Sequence, residues 1–382
     1  MVKNKLAAII NLTEDNQSLR PLTNNRPIAA LPFAGRYRII DFVLSSISYA
    51  GIDSVALFIG DSGRSIYDHI RSGSEWDLQS SIGGGVFTFS QQNWKHRYRI
   101  EEEHEDYYYN HRIYLQRSHS DYVFVSGSSI ISNNNLLAVT QQHVASGADI
   151  TMIYKSQSAF EDRGEEDLVD EALILDEEGR FKDIVPFEEV LNDEKIHSSL
   201  GKYIISTQTL LDLIDRATAE QVYMNINELI HFYLMDYSVN TYEYTGYAAN
   251  IDTIGAYYSA NMEMLSRSKF TSLFHGSIPV LTKTKHGAPT YYDENSNARE
   301  VIVGTDSYIG GTVERSVLNR RVTVGEGAQV SDSIILQGTK IGENAEIRYA
   351  IIDKNTVIEP GAKIIGTPDN LIVIGKGSHI NA

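Results

Sequence analysis

The sequence predicts a two-part α/β chain. An α/β domain on a mostly parallel sheet occupies about residues 1–265, and a parallel β-helix occupies 301–382, with 266–300 as connector. Two observations carry this reading. From about residue 5 to 260, apolar runs alternate with helical patterns, which implies a sheet covered on both faces. Beyond 300, aliphatic residues recur roughly six apart with small residues between them, the hexapeptide signature of a β-helix. A length of 382 residues suits two or three domains.

Leu6–Ile10 reads as a buried strand. Phe42–Ala50 places apolar residues on one helical face, with Gly51 as its stop. Strands follow at Ser54–Ile59, Tyr122–Ser126 and Ile150–Tyr154, with a helix from Asn135 to Ser146 between the last two. In such folds small ligands sit at the carboxyl ends of the strands. In the C-terminal part Val303-Gly304, Ile309-Gly310, Val324-Gly325 and Ile341-Gly342 recur, and Ser316-Val-Leu, Ser333-Ile-Ile-Leu and Ala350-Ile-Ile fill the faces between. Pro279, Pro289, Gly276 and Gly287 mark the connector.

A net charge of −17 argues against a general nucleic-acid binder but leaves room for a local basic pocket. With no cysteine there is no disulfide, thiolate zinc site or thiol nucleophile. His104, His111, His119 and His197 lack zinc-ligand spacing. No apolar run approaches the roughly 20 residues of a membrane span. The start, MVKNKLAAIINL, has no cleavage signature. A cytoplasmic protein is expected.

The stretch Arg20-Pro-Leu-Thr-Asn-Asn-Arg-Pro-Ile-Ala-Ala-Leu-Pro-Phe-Ala-Gly-Arg-Tyr-Arg-Ile-Ile-Asp-Phe42 resembles the N-terminal region of the ADP-glucose pyrophosphorylases. The likeness continues in order at Ser45–Ile52, Gly246–Ile254, Tyr257–Met262, Gly311–Leu318 and Ile341–Ile347. It implies a Rossmann-like nucleotidyltransferase domain followed by a left-handed β-helix, usually in a tetramer. The family joins glucose 1-phosphate to ATP and releases pyrophosphate. That chemistry needs a triphosphate cradle, magnesium and cations that hold the phosphates in line.

Measured against the family's motifs, this chain departs at each of these needs. The loop after the first strand, Asn11-Leu-Thr-Glu-Asp-Asn-Gln-Ser-Leu19, has no glycine, and Ser18 stands where the family has an arginine. Arg20 is the residue that could take over. Glu14 and Asp15 add negative charge, and two like charges about 4 Å apart cost about 4 kcal/mol at an effective dielectric of 20. Ile28 replaces the lysine of Arg-Ala-Lys-Pro. Gly127-Ser128-Ser129 replaces Gly-Asp-His, and Asn250 replaces a second magnesium aspartate, with Asp252 two residues on as a conceivable substitute. The nucleotide motif Gly-Thr-Ala-Asp has become the acidic run Ile100–Asp106. The Glu-Lys-Pro motif aligns loosely with Pro186–Val190, which offers no lysine.

The resemblance is thus closest to the non-catalytic regulatory (D-type) glycogen-biosynthesis subunits of Firmicutes. It implies a hetero-tetramer with a catalytic ADP-glucose pyrophosphorylase subunit, and no cofactor for this chain. Its rivals are a weakly active, magnesium-dependent glucose-1-phosphate adenylyltransferase and a stand-alone sugar-phosphate sensor. Arg26, Arg36 and Arg38 remain, and in the family the first and third positions belong to the effector region. Together they could hold a sugar bisphosphate or nucleotide monophosphate through forked hydrogen bonds. Surface ion pairing in an acid-rich protein is the alternative.

Overall fold

The computed structural model describes residues 5–60, 62–79, 84–91, 107–158, 171–190 and 193–382. The acidic run Ile100–Asp106 lies outside them. The chain forms two compact units, and it passes between them several times. Met1–Asp15, Phe42–Ala248 and Ser277–Leu281 make the first; Asn16–Asp41, Ala249–Gly276 and Thr282–Ala382 make the second.

The first unit is built on seven strands: β1 Leu6–Leu12, β2 Ser54–Ile59, β3 Gly85–Ser90, β4 Tyr122–Ser126, β5 Ile150–Ser158, β6 Lys195–Ser206 and β7 Val239–Glu243. Their order is β7-β5-β6-β4-β1-β2-β3. All run parallel except β6, which is antiparallel to both β4 and β5. The central strands are near-continuous apolar runs because both faces are covered. Ile9, Val125 and Ile205 belong to one buried cluster with Leu213 and Ile214 of the helix Thr207–Ala219. The helix Leu136–Ser146 begins where Asn135 accepts the N–H of Ala138, and it ends at the left-handed Gly147.

In the second unit a β-helix stacks parallel coils from Tyr291–Tyr292 to His379–Ile380. It starts ahead of the expected residue 301, and part of the expected connector is the helix Arg267–Phe274. Successive coils align Ile309, Val324, Ile341 and Ile358 on one inner ladder, and Val313, Val330, Ile347 and Ile364 on another. Each of these side chains is buried. The recurring aliphatic–glycine pairs have a steric cause. A Cβ on Gly325 would lie 2.7 Å from the backbone nitrogen of Glu343 in the next coil. The serines noted in the sequence form a third ladder, of hydrogen bonds. Ser316 Oγ accepts the N–H of Ser333, and Ser333 Oγ accepts that of Ala350, each at 3.1 Å. Ile347→Ala is expected to cost about 2–5 kcal/mol, read as a lowered urea midpoint.

Two further segments complete this unit. Gly35 turns the hairpin Pro32–Phe33/Tyr37–Arg38 with φ +72°, and any side chain there would meet Ile302. Tyr258, on the helix Ile254–Glu263, donates its hydroxyl to the backbone carbonyl of Asp332 at 2.8 Å.

Candidate functional site

In the first unit the site expected by the strand-end rule lies where β1 and β4 finish side by side. The peptide N–H groups of Ser128 and Ser129 leave the strand there without a ladder partner, which makes them anion donors. Both point at the carboxylate of Glu14. Ser128 N–H and Ser129 N–H donate to Oε1, the latter at 3.2 Å. The Ser128 hydroxyl lies 3.1 Å from each carboxylate oxygen. Burial pushes the Glu14 carboxyl up, and these hydrogen bonds oppose that shift. Gly127 gives Glu14 its room, since a Cβ there would lie 2.8 Å from Oε1.

This arrangement does not fit the family's magnesium ion. Ser128 offers a hydroxyl already committed to Glu14 rather than a carboxylate. Among the described residues no three His, Asp or Glu side chains gather as metal ligands. In the second unit Ile28 sits in the turn Ile28–Ala30, 2% exposed, as part of the apolar interior. Ser18 is exposed in the turn Gln17–Leu19, and Arg20 is exposed beside it. Asn250 donates its amide to Asp252 at 2.8 Å. In the first unit Phe187 and Val190, of the loosely aligned Pro186–Val190, are buried with Ala172 and Ile196.

A lysine that sequence reasoning passed over lies close to the Ser128 loop. The pairing of β5 with β6 shifts register between Ser199 and Lys202. Lys202 is 2% exposed, and its ammonium donates to Ser132 Oγ, to the Ile130 carbonyl at 3.1 Å and to Asn134 Oδ1 at 3.4 Å. Every one of these acceptors is neutral. Burial lowers its pKa to about 7.

The second unit holds a cationic cleft. Arg36 and Arg38 of the hairpin line it with Lys285, Arg320 and Lys354. Arg36 lies 6.0 Å from the ring centre of its neighbour Tyr37. The backbone N–H of Arg38 is bonded to Asp41, and Arg320 reaches Asp306 at 3.1 Å. Lys285 is lowered to about 8 and Lys354 to about 7, by burial first and then by repulsion from Arg38 and the other cations. Arg26 does not line this cleft. It is buried, ion-paired with Asp353, and bonded through Nε to the Leu22 carbonyl at 2.6 Å. The three β-helix and connector cations were missed, yet a signal existed. Arg320, Gln337 and Lys354 are spaced 17 residues apart, as are Val324, Ile341 and Ile358, so they fall on one corner of successive coils.

A larger depression of about 350 Å³ lies on another β-helix face. Glu314, Asp332 and Glu346 stand there against Arg315 and Arg348, and Arg315 is held by both oxygens of Asp332 at 2.7 Å. Of the two, only the cleft presents an excess of cations.

Among the described residues no helix is long and apolar enough to cross a membrane. Comparison with known proteins agrees with the two-part architecture. The nucleotidyl transferase family model matches residues 16–266, and the model of the GlmU-like C-terminal hexapeptide matches 288–370. The glycogen biosynthesis protein GlgD of Bacillus subtilis (strain 168) is 31% identical over 332 residues, covering 86% of this chain and 84% of the relative. GlgD of Geobacillus stearothermophilus is 34% identical over 335 residues, with the same coverage. The glucose-1-phosphate adenylyltransferase of Geobacillus stearothermophilus is 28% identical over 333 residues, again covering 86% and 84%. The chain belongs to the nucleotidyl transferase family, in the group that contains the GlgD glycogen biosynthesis proteins.

Proposed function

We propose that this chain is a catalytically impaired, regulatory subunit of ADP-glucose synthesis for glycogen. It works in the cytoplasm, in a hetero-oligomer with a catalytic nucleotidyltransferase subunit. The observation that carries this reading is the Glu14 carboxylate seated on Ser128 and Ser129. The Glu14 side chain already occupies the strand-end donors, so an incoming triphosphate would have to displace it. The buried Ile28 and the Asn250–Asp252 bond support the same reading. The cationic cleft, with about 10 Å³ of open space, is the effector site in this proposal, meeting at its mouth a phosphate group of a sugar bisphosphate or nucleotide monophosphate.

The first test is pyrophosphate release by the purified, folded protein with ATP, glucose 1-phosphate and magnesium. No turnover alone, and an altered rate or activation curve on mixing with a catalytic subunit, is the expected result. Turnover abolished by Asp252→Asn would instead establish a weakly active adenylyltransferase. Arg38→Ala is expected to blunt effector response in the mixed enzyme, and an unchanged activation curve would reject its role.

A further inference from the structure

We propose that the cationic cleft binds its anion together with a proton, so that effector occupancy and pH are linked in the neutral range. The proposal rests on reading the cleft as the effector site. Five cations from four stretches of chain converge there, and the two lysines among them are only partly exposed. Lys285 is repelled by Arg38, Arg320 and Lys283, with Asp41 as the opposing carboxylate. Lys354 is repelled by Arg38, Arg26 and Lys285, with Asp353 opposing. Both carboxylates have other engagements. Asp41 holds the Arg38 N–H at 2.9 Å, and Asp353 holds the Arg26 guanidinium.

Like charges gathered in a partly desolvated cleft relieve their repulsion by releasing protons. Arginine cannot do so, and lysine can. The lowered values at Lys285 and Lys354 agree with this geometry. An anion seated among the five cations reverses the balance. It favours the ammonium form at both lysines, so binding draws protons from solvent. By linkage, affinity then falls as pH rises through the range in which the empty cleft has lost its protons. A cleft lined by arginines alone would hold the same anion without that dependence.

Sulfate is the right probe because its charge is constant across this range. Titration calorimetry at low ionic strength, at pH 7.5 in buffers of different ionisation enthalpy, measures proton uptake directly. About half to one proton per bound sulfate is expected at this pH, with affinity falling about three- to tenfold per pH unit around it. Lys354→Met and Lys285→Met should each reduce the uptake while some binding persists. Sulfate bound without proton uptake overturns the proton linkage and leaves the effector cleft standing. Failure of sulfate and of inorganic pyrophosphate to bind the folded protein at all overturns the cleft reading itself. Binding undiminished by Arg38→Ala places the anion elsewhere and overturns both.

Discussion

Lys202→Met is expected to stabilise the protein at pH 6 by about 1–3 kcal/mol, a gain that fades as pH rises. The cause is an ammonium buried among neutral oxygens with no carboxylate to balance it. Its pKa is about 7 in the folded chain, against 10.5 when unperturbed. Between those values the unfolded chain holds the proton more tightly than the folded one. Stability therefore rises with pH across this window, by about 1.4 kcal/mol per pH unit from this group alone. Below the folded value the full penalty applies, and above the unfolded value it is gone. Methionine removes the penalty and loses the bonds to Ile130, Ser132 and Asn134, so its net gain is smaller than the full shift implies. Urea midpoints of both proteins from pH 6 to 10 give the test. Other titrating groups cancel in the comparison, and parallel curves would show that Lys202 titrates normally.

Asp353→Asn is expected to have the opposite sign and to cost about 3–5 kcal/mol. The Arg26 and Asp353 side chains are 8% and 2% exposed, so each has given up its water for the other. Asparagine keeps the shape and strands a buried guanidinium. The double change Arg26→Met, Asp353→Leu removes both charges and should recover most of the loss. Urea denaturation of Arg26→Met, Asp353→Leu and the double variant closes the cycle. Additive losses would mean that the two side chains act separately.

Strands and helices with local signals were legible in the sequence. Ser54–Ile59 and Tyr122–Ser126 are uninterrupted apolar runs, and the helix Leu136–Ser146 carries its own caps, Asn135 and Gly147. Strand β6 was not legible, because Lys195-Ile-His-Ser-Ser-Leu-Gly-Lys alternates polar and apolar residues and includes a register shift. The first β-helix coil was missed for a different reason. Tyr292-Asp293 stands where later coils have the aliphatic–glycine pair. The lost residues were visible, since Ile28 in the second unit and Ser128 in the first contradict phosphate and metal chemistry by type alone. That Glu14 would take up the vacated donors was not visible, because it depends on β1 and β4 ending side by side. The cationic cleft was half legible. Arg36 and Arg38 are close in sequence, whereas Lys285, Arg320 and Lys354 join them only through the winding of the coils.

The Arg26–Asp353 pair spans 327 residues, and it has a consequence for the growing chain. Residues 16–41 leave the ribosome near the beginning of synthesis, yet their compact unit is completed by residues 282–382. Contacts of such high sequence separation form slowly, and an unfinished unit exposes apolar surface while it waits. Leu19, Leu22, Ile28 and Phe33, all buried in the finished protein, belong to that waiting segment. A nascent chain stopped short of its last coils therefore carries an uncovered sticky stretch near its start, where holding chaperones would find it first.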